Sequence, residues 1–188
     1  MRRWPFSLWP ILGLCLLTVL GLALGMAPSN SSGTPTVAAE LPALPSSAWL
    51  NSPPLTLAAL HGHPVLIEFW TFGCSNCRNT LPWVKSIHAR YSPRGLMVIA
   101  IHSPELEHER DPAAVAAHVT QLGIGYPVLI DNDFRYWNAL GNRFWPAFYL
   151  IDPQGRIVAT RIGELHSGER SADEFEQSIA ALLPDVRP

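Results

Sequence analysis

Two cysteines separated by two residues are the part of this sequence best suited to chemistry. Cys74 and Cys77 follow the apolar run from Val65 to Trp70, which is typical of a buried strand, and residues with helical spacing come after them. Cysteines three positions apart at the start of a helix lie close enough to form a disulfide. Because the free N–H groups and the dipole at a helix N-terminus favour a thiolate, the pair is predicted to be redox-active.

A pair with this spacing could also be half of a zinc site or an inert disulfide. The chain has three cysteines, and Cys15 lies in an apolar N-terminal run far from the pair. A structural zinc site needs four ligands, and the predicted strand would separate His61 and His63 from the cysteines. Arg78 follows Cys77 at the position where attachment of a c-type haem requires histidine. These residues favour a redox dithiol, with zinc and an inert disulfide as the alternatives.

Glu68 interrupts the apolar strand six residues before Cys74. Charged side chains are rarely buried without a purpose, so this carboxyl is a candidate functional group. If it is buried, its pKa is raised and it can exchange a proton with Cys77. The alternative is a strand residue whose side chain reaches solvent.

Residues 1–27 have the composition of a membrane-targeting segment. Arg2 and Arg3 precede an uncharged run from Leu8 to Ala27, and about 20 apolar residues span a bilayer core. No other Lys or Arg occurs before Arg78, an asymmetry that predicts a cytoplasmic N-terminus and a domain on the outer side. We expect one transmembrane anchor, with a cleaved signal peptide as the alternative.

Residues 28–45 are rich in Pro, Ser, Thr and Ala, and Glu40 is their only charged residue. This composition predicts a flexible linker. Residues 46–188 are long enough for one globular domain. The chain has a formal net charge of −2 and no cluster of Lys or Arg, so a nucleic-acid partner is not expected. No residue pattern points to a cofactor or a resident metal.

Strands and helices alternate over the predicted domain. The expected strands are 65–70, 96–101, 127–130, 147–151 and 156–161. One helix is expected after the cysteines, and three more after the predicted N-cap residues Asp111, Asp133 and Ser171, the last with a capping box. This order, with a final hairpin and helix, predicts an α/β fold with a mixed central sheet flanked by helices. His102 and Glu105 follow a strand and are expected at the surface, with a position facing the dithiol as the alternative.

Several separated segments resemble one family. They are Trp49 to Leu57, Phe69 to Arg78, Leu81-Pro82, His102 to Glu105, Tyr126 to Val128, Asp131 to Asp133 and Gly141 to Ala147. Together they resemble the thioredoxin superfamily, in particular the membrane-anchored TlpA/ResA-type thiol–disulfide oxidoreductases. The similarity is closest to the thioredoxin-like domain of the DipZ group and covers about residues 46–183. It implies a thioredoxin-like fold.

The resemblance also implies roles for individual residues. Cys74 is the expected nucleophile, and Cys77 is expected to resolve the mixed disulfide that the first attack forms. Glu68 matches the buried acid that the thioredoxin fold carries beneath the resolving cysteine.

Pro146 matches the proline that is cis in this family and faces the dithiol, where its neighbours pair with a substrate backbone. Trp145 and Trp70 are candidates for an apolar rim that binds substrates, and core packing is the alternative for both. For Trp70 core packing is favoured, because Trp side chains are mostly buried.

The resulting functional prediction is thiol–disulfide exchange with exported proteins, apocytochromes among the candidates, on the outer face of a bacterial cytoplasmic membrane. A reductase there needs electrons from inside the cell, so a membrane thiol-electron transporter of the CcdA/DsbD type is the expected partner. The dipeptide Ser75-Asn76 differs from those of the best-known reductases and oxidases. The direction of electron transfer therefore stays open.

Two other functions remain as alternatives. Thr71 and Cys74 have the Thr-x-x-Cys spacing of peroxiredoxins, but Ile67 stands where that motif has proline. A copper carrier using the two cysteines and a histidine is the other alternative. Related copper chaperones separate their cysteines by three residues, whereas this chain separates them by two.

Overall fold

The computed structural model describes residues 36–184. The transmembrane helix predicted within residues 1–27 lies outside the described residues. Within residues 36–184, no helix is both long enough and apolar enough to cross a membrane.

Seven strands form one mixed sheet. They are β1 (Thr36–Val37), β2 (Trp49–Leu50), β3 (Val65–Trp70), β4 (Met97–His102), β5 (Val128–Ile130), β6 (Ala147–Ile151) and β7 (Arg156–Ile162). Their order across the sheet is β1-β7-β6-β3-β4-β5-β2. The strands β3, β4 and β5 run parallel, and every other neighbouring pair is antiparallel. The predicted mixed α/β architecture is confirmed.

Four α-helices flank the sheet. They are α1 (Ser75–Tyr91), α2 (Pro112–Gln121), α3 (Arg135–Ala139) and α4 (Arg170–Ala180). Short 3-10 helices lie at Ser46–Ala48, Ser92–Arg94 and Glu107–Arg110. The helices α1, α2 and α4 pack on one face, while α3 and the segment before β3 pack on the other.

Strand β3 lies at the centre and all six of its residues are buried. Leu66 and Trp70 enter the apolar layer under α1, whereas Val65, Ile67 and Phe69 enter the layer on the opposite face. A strand covered on both faces has a continuous apolar sequence, which explains the run that identified it. Glu68 shares a face with Leu66 because side chains two positions apart point to the same side of a sheet.

Helix α1 begins directly after Cys74, which is its N-cap residue. Its inward face consists of residues at helical spacing, namely Cys77, Thr80, Leu81, Trp83, Val84, Ile87 and Tyr91. Pro82 is exposed inside the helix, which continues for nine residues beyond it to Tyr91. The apolar spacing thus predicted the position and the buried side of this helix.

The predicted flexible linker 28–45 is wrong for residues 36–45, which belong to the folded domain. Strand β1 pairs with β7, and Leu41 is only 3% exposed. The Glu40 carboxylate accepts hydrogen bonds from the backbone N–H groups of Leu57 and Ala58. Composition predicted a linker because Pro- and Ala-rich segments rarely form a core alone, but this segment packs on a sheet formed elsewhere in the chain.

Two predicted helix caps are also corrected. The carboxylate at the start of α3 is that of Asp131, which accepts from the N–H groups of residues 135, 136 and 137, and not that of Asp133. Helix α4 begins two residues earlier than predicted, with Glu169 as N-cap and no side-chain cap hydrogen bond, so Ser171 does not form a capping box. Asp131 is buried against the start of the helix, whereas Asp133 is exposed.

We predict that Leu41→Ala lowers the free energy of unfolding by about 2–5 kcal/mol, because it leaves a cavity in the layer between this segment and the sheet. Urea unfolding followed by tryptophan fluorescence measures the change. The control is Val37→Ala in the same segment, where the side chain is 74% exposed and the effect should stay within about 0.5 kcal/mol. Equal stability of Leu41→Ala and the parent would show that residues 36–45 are not part of the domain.

Candidate active site

The two cysteines lie where the central strand meets the N-terminus of α1. The chain leaves β3 at Trp70, turns through residues 71–73 and enters α1 after Cys74. Because Ala147 pairs with Phe69, Pro146 lies at the same end of the sheet. The structure thus brings together segments that are about 70 residues apart in sequence.

The sulfur atoms of the two cysteines are in contact but differ in exposure. The Sγ atoms of Cys74 and Cys77 are in contact, with the Cys77 thiol as the donor, and both residues are free cysteines. Sγ of Cys74 also accepts the backbone N–H of Cys77 at 3.2 Å. Cys74 is half-buried and Cys77 is 2% exposed. Only the first sulfur is therefore accessible to a large partner.

The environment of Cys77 opposes its ionisation. Burial raises the pKa of this thiol above its ordinary value, and the hydrogen bond with Cys74 and the nearby charge of Glu68 raise it further. A hydrogen bond with the backbone at Thr71 acts in the opposite direction but is outweighed. Cys77 therefore needs a group that accepts its proton before it can act as a nucleophile.

Glu68 is a candidate for this group, because its charge acts on Cys77 and its own pKa is close to neutral. Its side chain is 2% exposed, so it does not reach solvent. Burial raises its pKa from 4.5 to about 8, although the hydroxyl of Tyr126, which donates to Oε2 at 3.2 Å, acts in the opposite direction. A carboxyl with this pKa changes protonation state near neutral pH. Burial also raises the pKa of Tyr126, so this hydroxyl stays protonated and remains a donor.

Pro146 follows a cis peptide bond, as the resemblance implied. The preceding Trp145 is half-buried; its Nε1 donates to the Ser103 carbonyl at 3.0 Å, and its ring packs on Trp137 at a centroid distance of 4.2 Å. Phe144, the residue before Trp145, is 52% exposed. This segment therefore presents apolar surface beside the end of β3 while its tryptophan is held in place.

The substrate-binding role predicted for Trp70 is not supported by its position. Its side chain is 3% exposed and packs against His102, at 5.4 Å between ring centroids. A side chain with so little exposed surface contributes to the core. The alternative of core packing is therefore correct for this residue, because a strand covered on both faces leaves no position open to solvent.

The prediction that His102 lies at the surface is wrong. It is fully buried at the end of β4, where Nε2 lies 3.2 Å from the Thr71 hydroxyl and Phe72 stacks on the ring. Burial lowers the pKa of His102 to about 4, so the ring is neutral at physiological pH. The uninterrupted apolar run that ends at Ile101 could have indicated this position, because the strand continues one residue further than predicted, to His102.

Glu109 was not predicted as part of the site. It is fully buried, and Oε1 accepts the backbone N–H of Gly73, the residue before the first cysteine, at 2.8 Å. The sequence places it in a charged stretch that reads as surface, so only the folded structure reveals this contact.

In residues 36–184, no group of three or more His, Cys, Asp or Glu side chains is arranged to hold a metal ion. Thr71, whose spacing from Cys74 suggested a peroxide site, is fully buried, and its hydroxyl contacts His102.

Comparison with known proteins gives a family. A family model described as AhpC/TSA matches residues 36–160, a range that contains the dithiol, Glu68 and Pro146. The chain belongs to the AhpC/TSA family. The match begins at residue 36, where β1 begins, and so includes residues 36–45 of the predicted linker.

Relatives and a solved structure agree with this assignment. Protein DipZ of Mycobacterium tuberculosis is 39% identical over 145 residues, which are 76% of this chain but 20% of DipZ, so the chain spans about a fifth of that relative. The thiol-disulfide oxidoreductase ResA of Bacillus thuringiensis is 30% identical over 135 residues, 72% of each protein. The solution structure of a thioredoxin-like protein in its oxidised form matches with a TM-score of 0.65 and 28% identity, covering 78% of this chain and 95% of the other. The thioredoxin-like fold is confirmed.

We predict that Glu68→Gln removes a pH dependence of stability. Between pH 4.5 and 8 the folded protein keeps a proton on Glu68 that the unfolded chain has released. The free energy of unfolding of the parent should therefore fall as pH rises through this window, by at most about 1.4 kcal/mol per pH unit. Urea unfolding of the oxidised proteins at pH 5 to 8 measures this slope, which should be shallower in the variant.

The matched control is Glu107→Gln, because the Glu107 side chain is 91% exposed. It should keep the slope of the parent. A Glu68→Gln protein with the same slope as the parent would contradict the raised pKa.

Proposed function

We propose that this chain is a thiol–disulfide oxidoreductase that exchanges electrons with protein disulfides through Cys74 and Cys77. One observation carries the proposal: a half-buried sulfur at a helix N-terminus is in contact with a second sulfur that is buried. A pair of this kind has an accessible sulfur for the substrate and a protected one for resolution. The relatives named as thiol-disulfide oxidoreductases support it.

In the reducing direction, the Cys74 thiolate attacks one sulfur of a substrate disulfide. A mixed disulfide forms, and the other substrate sulfur leaves as a thiolate. The Cys77 thiolate then attacks Sγ of Cys74, which closes the Cys74–Cys77 disulfide and releases the second substrate sulfur. Two electrons pass from the chain to the substrate. The same steps in reverse oxidise a substrate dithiol, and both directions are compatible with the geometry.

Glu68 serves as the proton acceptor for Cys77. The second step requires a thiolate in a buried position where ionisation is unfavourable. An ionised Glu68 carboxylate can take the proton, so that the negative charge passes to the attacking sulfur without a second buried charge. In the reverse direction, the protonated carboxyl returns the proton to the Cys77 thiolate. The pKa of about 8 suits this exchange at neutral pH.

Exposed apolar side chains beside the dithiol suit a protein substrate. Phe144 is 52% exposed and precedes Trp145 and the cis proline. Leu106 is 53% exposed, and its backbone N–H shares the Glu109 carboxylate with Gly73. An unfolded or partly folded chain with an apolar segment near its cysteine can cover both surfaces. In this proposal Trp145 and Pro146 form the substrate-binding edge.

The proposed location is the outer face of a bacterial cytoplasmic membrane, with residues 1–27 as a single-pass anchor. The uncharged run after Arg2 and Arg3 supports this. A reductase in that location needs a source of electrons, for which a membrane thiol-electron transporter of the CcdA/DsbD type is the proposed partner. Exported proteins, including apocytochromes, are the proposed substrates.

The parent protein should accelerate the reduction of insulin disulfides by dithiothreitol. We predict that Cys74→Ser abolishes this acceleration, because the attacking sulfur is lost. Cys77→Ser should instead accumulate mixed disulfides with substrate, visible as adducts on a gel that disappear with reductant. Cys15→Ser is the control and should retain the activity of the parent.

The same proteins test the alternatives. Turnover of hydrogen peroxide that exceeds turnover of insulin would favour the peroxide reductase. A stoichiometric copper content in the reduced protein would favour the copper carrier. Full activity of Cys74→Ser would refute the proposed roles of the two cysteines.

We predict that the full-length protein sediments with bacterial membranes and that added protease digests its domain in spheroplasts without breaking the inner membrane. The apolar run that ends at Ala27 is expected to hold the protein in the membrane. Protein lacking residues 1–35 is the control and should remain in the supernatant. A supernatant product whose N-terminal sequence begins near Met26 would show cleavage of a signal peptide.

A further inference from the structure

The buried carboxylate of Glu109 joins the segment after β4 to the turn before the dithiol. Its Oε1 accepts the N–H of Gly73 at 2.8 Å. Its Oε2 accepts the N–H groups of Glu105 at 2.6 Å and Leu106 at 2.8 Å. The exchange steps described above use none of these contacts, so the carboxylate has no assigned role in the chemistry.

The carboxylate is suited to hold these groups as an anion. Burial alone would raise the pKa of Glu109, but hydrogen bonds from the backbone of Leu106, from the Thr71 side chain and from the backbone of Glu105 and Gly73 outweigh burial and lower it. Hydrogen bonds from neutral donors to an ionised acceptor are shorter and stronger than those between neutral groups. The contact therefore restrains two chain segments that are 36 residues apart.

Gly73 is adapted to this contact. A Cβ atom at this position would lie 2.2 Å from Oε1 of Glu109, a distance that no side chain can adopt. Any larger residue would displace either the turn or the carboxylate and would break the hydrogen bond between them. The next residue is Cys74, whose Sγ must reach the N–H of Cys77 to act as N-cap of α1.

We propose that Glu109 is a positioning residue for Cys74: by binding the N–H of Gly73, it holds the turn so that Sγ of Cys74 remains on the N–H of Cys77. This inference rests on the proposed function only in taking Cys74 as the attacking sulfur. The hydrogen bond from the helix N-terminus favours the thiolate over the thiol. Loosening the turn therefore makes the thiolate less stable and the sulfur less reactive at low pH.

A direct charge effect would act in the opposite direction. An anion near Cys74 disfavours the thiolate, so its removal would make the sulfur more reactive. Substitution of Glu109 leaves the other titratable or charged residues around the turn in the chain. They are Glu68 on β3, Cys77 and Arg78 on α1, His102 on β4, His108 beside Glu109 and His118 on α2. The sign of the change thus separates positioning from charge.

The experiment measures alkylation of Cys74 by iodoacetamide in the reduced full-length protein between pH 4 and 9, with the modified peptide identified by mass spectrometry. In Glu109→Gln, the side-chain amide keeps the size of the carboxyl but presents N–H groups to one set of backbone donors. We expect the alkylation rate of Cys74 at neutral and lower pH to fall about three- to tenfold relative to the parent, because the hydrogen bond that supports its sulfur is weakened. Gly73→Ala should shift the profile in the same direction although Glu109 is intact.

The matched control is Asp152→Asn. Asp152 is also buried and accepts backbone N–H groups of Gln154 and Arg156, but it lies at the opposite end of the sheet, in the β6–β7 turn. Its substitution should lower stability without moving the alkylation profile.

An unchanged profile in Gly73→Ala, or faster alkylation in Glu109→Gln, would overturn the proposal. If Glu109→Gln does not fold, Gly73→Ala alone decides. Since alkylation requires no disulfide substrate, its outcome is independent of the insulin assay.

Discussion

The covering of β3 on both faces is the constraint on which the site depends. Alternate side chains of this strand enter two separate apolar layers, and a shift of one residue would move Glu68 into the layer away from Tyr126. The same packing sets where the strand ends and therefore where the chain turns towards Cys74. The position of the dithiol thus results from the packing of the whole domain, and the motif alone could not provide it.

The two sulfur atoms have the same chemistry but different surroundings. One lies at the helix N-terminus, half exposed, and receives a backbone hydrogen bond. The other lies in the apolar layer beneath, where burial opposes its ionisation. This difference follows from their places on the first turn of α1, since three residues along a helix change the depth of a side chain relative to the sheet. The order of the proposed exchange steps is a consequence of it.

The surroundings of the dithiol come from four separated parts of the chain. Strand β3 supplies Glu68, the segment after β4 supplies Glu109, the loop before β5 supplies Tyr126, and the segment before β6 supplies Pro146. The parallel arrangement of β3 and β4 brings their carboxyl ends to one end of the sheet, and β6 enters the sheet at that end because it runs in the opposite direction. Tyr126 lies before the amino end of β5, and its hydroxyl reaches Glu68 from there. Sheet topology therefore assembles a site that no single segment contains.

The amino-acid sequence by itself determined the elements with strong periodicity, the dithiol at the start of α1, and Glu68 as an unusual charge in an apolar strand. These features depend on local spacing, which can be read without knowledge of the fold. The tertiary structure decided that residues 36–45 pack on the sheet, that His102 is buried, and that Glu109 binds the turn before Cys74. Each of these depends on contacts between distant segments, because a polar or Pro-rich stretch is stabilised in a buried position only by partners that the rest of the chain supplies.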